Sequence, residues 1–178
     1  MRSTRVKIVT AAATLAIAGV GTMGVVSASA QAPAPAPVPG NALTTSTHLT
    51  IDAAADAVQA VLDAAEKEGQ RVTVAVVDRN GNTIVTLRGD GAGPQPYDSA
   101  IAKAYTAVSW NAPTSELVTR LESAPNLKDI PNTLFLGGGV PVAAKNAPIA
   151  GIGVAGAPSG ELDEKFARAG VDELTRGR

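Results

Sequence analysis

Residues 133–157 read TLFLGGGVPVAAKNAPIAGIGVAGA, and the apolar runs within them decide the fold. Three such runs, LFL, VPVAA and PIAGIGVAGA, are separated by Gly137–Gly139 and by Lys145-Asn146. Short apolar runs broken by turn residues are the pattern of an antiparallel sheet, so each run is predicted to be a strand. The triple glycine offers positive-φ freedom for one hairpin, and Lys145-Asn146 offers a polar turn for the next. Gly151, Gly153 and Gly156 punctuate the last run. Glycine inside a strand marks a close approach to its backbone, by a packed helix or by a flat ligand.

Working outward, VTVAVVD and TIVTLRG flank Arg79-Asn80-Gly81-Asn82. Asn-Gly between β-branched runs predicts strands over 72–78 and 83–88 joined by a type I′ turn, with positive φ at both Asn80 and Gly81. Ahead of them, Thr50 is placed to cap a helix. Its apolar positions Ile51, Ala54, Ala55, Val58, Val61, Leu62 and Ala65 follow the three-four spacing, and it stops at Gly69. The Gly/Pro-rich stretch 89–96 is irregular, either a binding loop or a plain connector. A helix then runs from Asp98 to Trp110, with Lys103, Thr106 and Trp110 on one side and Ile101, Tyr105 and Val108 on another. Asn111-Ala112-Pro113 ends it, and Thr114 or Ser115 is expected to cap a shorter one through Glu116, Leu117, Val118 and Leu121. Ser159 caps the last helix, whose Glu161, Asp163 and Glu164 suit the dipole of a first turn. The order is helix, two strands, two helices, three strands, helix. With hairpins joining most strands, the fold class is α+β, a five-stranded antiparallel sheet with packed helices.

Three basic residues, Arg2, Arg5 and Lys7, precede a mainly apolar run from Ile8 to Val26, and Ala28-Ser29-Ala30 has the small-x-small form of a cleavage site. Residues 1–30 are therefore expected to be a secretory signal peptide, and the protein to be secreted, with later tethering to the cell surface left open. Residues 31–48 begin QAPAPAPVPG, an Ala/Pro-rich flexible linker whose role is reach. Residues 49–178 then form one domain. Loss of the signal takes the formal charge from −1 to −4, and no basic cluster remains to suggest nucleic acid as a partner. There is no cysteine, both methionines fall in the first 30 residues, and His48 is the one histidine. That composition excludes a cysteine nucleophile, a Cys or Met metal site and a multi-histidine zinc site within one chain.

AVVDRNGNTIVTLRGDGAG (75–93), SAIAKAYTAVSWNAPTSEL (99–117), LFLGGGVPV (134–142) and IAGIGVAGAPSGELDEKFARAGVDEL (149–174), in that order, resemble the GlcG/HbpS family of haem-binding proteins. The likeness spans nearly the whole domain, from Leu49 to Leu174. It implies a domain of profilin-like shape, assembly into a homo-oligomer, an octamer, and haem as cofactor and partner outside the cytoplasm. For the secreted branch it further implies sensing of haem or oxidative stress through two-component signalling, with a membrane sensor kinase as partner. Other relatives are associated with haem breakdown, so a haem-degrading or weakly peroxidase-like enzyme is an alternative, as is an accessory kinase ligand whose haem binding is incidental.

A haem site needs an apolar slot, cations or amides for the propionates, and a donor to iron. The available donors are few: His48, Tyr97 and Tyr105, with a lysine or a threonine hydroxyl as weaker ones. His48 stands where the tail meets the first helix, either as an iron ligand or as a free surface histidine. Tyr105 either holds ferric iron as tyrosinate or fills core space. The resemblance points to Thr106 as the residue facing iron, with Lys103 one turn earlier on the same side. Trp110 is an aromatic wall for that face or a core residue, and Arg88, at the end of the hairpin, is a candidate partner for the propionates.

Overall fold

The structure, a computed structural model, describes residues 36–176. The expected signal peptide lies outside the described residues. The chain divides into two units. Of the first, which ends at Leu43, the described residues form one short 3-10 turn, Gly40–Ala42. The second begins at Thr44 and contains every element named below.

Its order is α1 (Ile51–Lys67), β1 (Thr73–Asp78), β2 (Thr83–Arg88), α2 (Pro96–Trp110), α3 (Thr114–Val118), β3 (Gly139–Ala144), β4 (Ala147–Ala155) and α4 (Gly160–Thr175). The strands form one sheet in the order β2-β1-β4-β3, every neighbour antiparallel. The α+β class stands, but the sheet has four strands where the sequence predicted five. The missing strand is Leu134–Leu136. Its backbone is engaged elsewhere: the Leu134 N–H donates to Thr106 Oγ1 at 2.8 Å, and Phe135 packs edge-on against Trp110 with ring centroids 5.2 Å apart. The run therefore lies along α2, not in the ladder.

The turns also exchanged roles. Between β1 and β2, Gly81 N–H donates to the Asp78 carbonyl at 3.0 Å and the Asp78 N–H to the Asn82 carbonyl at 2.8 Å. Only Gly81 of that turn has a positive φ, +87°. This is a type I turn closed by a left-handed glycine, the three-residue hairpin loop, in place of the predicted type I′. Positive φ at two successive residues occurs instead at Lys145 (51°) and Asn146 (62°), which join β3 to β4.

Two of the three capping expectations hold. Thr50 Oγ1 accepts from Ala53 N–H at 3.2 Å, and Ser159 Oγ from Leu162 N–H at 3.3 Å. α3 is instead preceded by Pro113 with no side-chain cap, and Thr114 Oγ1 accepts from Gly139 N–H at 2.8 Å. One face of the sheet, presenting Val74, Val76, Ile152 and Val154, buries Val58 and Val61 of α1 and Phe166 of α4. The other face carries Ala75 and Val77 and takes α2 through Ala100, Ala104 and Val108. Here the strand glycines find their cause. A Cβ at Gly151 would collide with the Ala104 carbonyl, and one at Gly153 with the Ala100 carbonyl. Of the two readings, the packed helix explains the close approach.

Gly153→Ala is accordingly expected to cost about 2–3 kcal/mol of stability, since overpacking here must move a helix backbone and not a flexible side chain. Gly93→Ala, whose Cβ would meet nothing nearer than Pro96 Cδ at 3.9 Å, is expected to cost none. Urea unfolding of the two variants checks the contrast.

Candidate functional site

The predicted site residues cluster on α2, and the structure divides them among three flanks. Lys103 follows Ala100 by three residues and precedes Ala107 by four, so helical spacing turns it towards the sheet with them. It is 2% exposed. Its ammonium donates to Asp163 Oδ2 at 2.8 Å and to the Val154 carbonyl at 3.0 Å, while Asp163 Oδ1 accepts from Ala157 N–H at 3.0 Å. Burial pushes the Asp163 carboxyl above its ordinary pKa, and the ammonium and the Ala157 N–H pull it back only in part. A groove of about 410 Å³ opens beside the pair, walled by Gln95, Ser99, Leu136 and the backbone of 155–160. The cation at its base is already committed, which leaves it little for a ligand's carboxylate.

Thr106 is 0% exposed. Its hydroxyl donates to the Ala102 carbonyl at 2.8 Å and accepts from Leu134 N–H at 2.8 Å. The iron-facing role implied by the resemblance is not open to it in this arrangement; Leu134 would have to leave first. Trp110 is half-buried against Phe135 and lines neither groove on α2. Internal hydrogen bonds and ring packing thus occupy the Lys103/Thr106/Trp110 face.

The outer flank of α2 is different. Asp98, Ile101, Ala102 and Tyr105, at helical spacing, line a groove of about 520 Å³ closed by Gly81 of the β1–β2 turn and by Asn132. Tyr105 is half-buried, and its hydroxyl makes no hydrogen bond to any described residue. Of the donor residues considered for iron, it is the one that combines an open groove with an uncommitted oxygen. A phenol oxygen there can bind a metal or accept and donate hydrogen bonds, and Ile101 and Ala102 provide apolar wall.

The remaining candidates lie apart from both grooves. Arg88 is exposed at the end of β2, an edge strand. His48 is exposed ahead of α1, its Nε2 2.6 Å from Ser46 Oγ. Its charge is felt at Asp78. Burial raises the Asp78 carboxyl, but the N–H groups of Asn82 and Asn80, the Asn82 amide and His48 outweigh it and bring the pKa below the ordinary value. No cluster of three or more metal-binding side chains occurs among the described residues. Sequence reasoning missed the role of Asp163, which was assigned to the first turn of α4 for its fit to the helix dipole. The signal was its spacing from Phe166, Ala167 and Gly170, which places it on the buried stripe of α4.

One sheet with α2 on one face and α1 and α4 on the other defines a small three-layer α+β domain. The chain belongs to the HbpS-like family, described as "Haem degrading protein HbpS-like", whose model matches residues 49–172. It is similar to HbpS of Streptomyces reticuli, solved as a double glutamate-to-aspartate variant. The two are 68% identical, with a TM-score of 0.80, over 83% of this chain and 100% of that one. An uncharacterized 15.0 kDa protein from the dhaT-dhaS intergenic region of Citrobacter freundii is 31% identical over 129 residues, covering 70% of this chain and 90% of that protein. A structure of a PduOC–haem complex shares the fold, with a TM-score of 0.67 at 24% identity over 74% of this chain and 98% of that one.

If Lys103 is a structural cation, Lys103→Met strands a buried carboxylate and is expected to cost roughly 3–5 kcal/mol at neutral pH. The raised Asp163 pKa fixes the sign of the pH dependence. The charged carboxylate opposes folding above that pKa and ceases to do so as acid protonates it, so the deficit narrows as pH falls. Replacing Asp163 by Leu as well recovers most of the loss. Denaturant unfolding of the three proteins from pH 7 downwards measures this, and a deficit independent of pH contradicts it.

Proposed function

We propose that this chain binds haem and that the groove beside Tyr105 is its seat. The observation that carries the reading is that, in a chain whose family is described by haem, Tyr105, whose hydroxyl bonds to no described residue, lines a groove of about 520 Å³. That volume falls within the roughly 300–1,000 Å³ of small-molecule sites. Tyrosinate is an established protein donor to haem iron, so the residue type fits as well as the space. Haem brings a redox-active iron; the chain supplies the donor, the apolar wall of Ile101 and Ala102, and cover from the β1–β2 turn. Asp98 is the one charged side chain of the lining, which disfavours carboxylate arms on the floor of the groove. Arg79, two residues before Gly81 on the β1–β2 turn, is exposed.

Scavenging or sensing of haem and oxidative stress is the role we attach to this binding. Export is supported by the apolar run and Ala-x-Ala site before the Ala/Pro stretch. Assembly into a homo-oligomer, an octamer, and contact with a membrane sensor kinase are supported by the resemblance alone. A second reading, haem breakdown, is favoured by the family's description. It calls for acid–base groups at the groove, where the lining offers Asp98 and Tyr105. Appearance of a ring-opened tetrapyrrole with reductant and oxygen separates it from binding alone.

Titration of the apo-protein with hemin is expected to give a saturable Soret shift. Tyr105→Phe is expected to weaken binding at least about tenfold, equivalent to about 1.4 kcal/mol, and to alter the ferric spectrum. Thr106→Val is expected to leave that spectrum unchanged. No saturable shift, or a Tyr105→Phe protein that titrates like the parent, contradicts the assignment.

A further inference from the structure

Gly81 does more than close a turn. A Cβ built on it would stand 2.8 Å from Tyr105 Cε2, 3.4 Å from Cδ2 and 4.0 Å from Cζ, so the backbone of the turn lies against the edge of the tyrosine ring. The turn itself has little freedom. Asp78 Oδ1 accepts from the N–H groups of Asn80 and Asn82, both at 2.8 Å, the two residues on either side of Gly81. Asp78 Oδ2 takes the Asn82 side-chain amide at 3.3 Å, and the Gly81 N–H is bonded to the Asp78 carbonyl at 3.0 Å. On the other side the ring is carried by α2, whose residues Ala104, Val108 and Ala100 are packed on the sheet. A ring held between a fixed helix and a fixed turn can rotate only as far as the turn permits.

We propose that Gly81 is the positioning residue for Tyr105: its missing side chain sets where the phenol ring rests, and so how far the donor oxygen reaches into the groove. The inference rests on Tyr105 being the donor of the haem seat. A glycine here has a competing explanation, since its φ of +87° suits few other residues. The two accounts differ in what a substitution does. Backbone strain alone destabilises the hairpin and leaves the ring in place, whereas positioning moves the ring whatever the hairpin loses. Asn is the informative replacement beside Ala, because it tolerates positive φ better than other side-chain-bearing residues while still pushing on the ring.

The chain has two tyrosines, so the full-length protein labelled with meta-fluorotyrosine gives two fluorine NMR signals, assigned by Tyr97→Phe. In Gly81→Ala and Gly81→Asn the Tyr105 signal is expected to shift and the Tyr97 signal to stay. Hemin affinity is expected to fall about 10–100-fold in both variants, as for groups that orient a metal ligand. In a Tyr105→Phe background, where no donor remains to be misplaced, either Gly81 substitution is expected to add little further loss. A stationary Tyr105 signal overturns the proposal, as does an equal loss of affinity in the Tyr105→Phe background. If the parent protein takes no hemin, the groove reading falls, and the fluorine shift alone then decides whether Gly81 sets the ring.

Discussion

The close seating of α2 on the sheet is the constraint from which the rest follows. At the glycines of the sheet no side chain separates it from this helix: Gly151 and Gly153 of β4 face the carbonyls of Ala104 and Ala100 directly, and Gly139 of β3 faces that of Lys103. Because the helix sits so low, a lysine on its inner side can cross to α4, and a tyrosine on its outer side touches the β1–β2 turn. Each flank of the helix is left with an open groove. Ordinary strand residues in place of the glycines would lift α2 by the thickness of a side-chain layer and dissolve both arrangements.

Charges in the interior are already paired. Lys103 and Asp163 tie α2 to α4, and Glu164, also buried, accepts from Ser115 N–H at 3.2 Å and from Arg168 Nη2 at 2.7 Å, tying α4 to the start of α3. Ion pairs of this kind add less to stability than their Coulomb attraction suggests, but they tolerate no half-measures, because a lone buried charge is costly. What remains available to a ligand is therefore a phenol, small apolar side chains and backbone, along with exposed charges on turns. On the reading proposed above, such a site would hold a flat molecule by shape and a single donor bond, with the ligand's own charges turned to water.

Much of the architecture was legible because local rules decide it. Thr50 and Ser159 cap where they were expected to, Gly69 ends α1 at a φ of +69°, and alternation in β1 separates Val74 and Val76 from Ala75 and Val77. The fifth strand failed for a tertiary reason: LFL has strand chemistry, but Trp110 and the Thr106 hydroxyl hold it against α2. The type I′ turn was assigned to Asn80-Gly81, the commoner sequence for it, and formed at Lys145-Asn146. In the site, helical spacing grouped Lys103 with Thr106, yet spacing cannot tell a groove from a core. That distinction depended on Asp163, sixty residues away, and on Leu134, neither of which periodicity in α2 can reveal.

The central claim is that an uncommitted phenol on the outer flank of α2, and not the buried polar groups beneath it, meets the iron. A crystal structure of the protein soaked with hemin tests this most directly. The account predicts the macrocycle beside Ile101 and Ala102, with iron facing the Tyr105 oxygen and the Lys103–Asp163 pair intact. A macrocycle seated over Thr106 with Leu134 displaced, or lodged beside Gln95 and Leu136 with the ion pair broken, would contradict it.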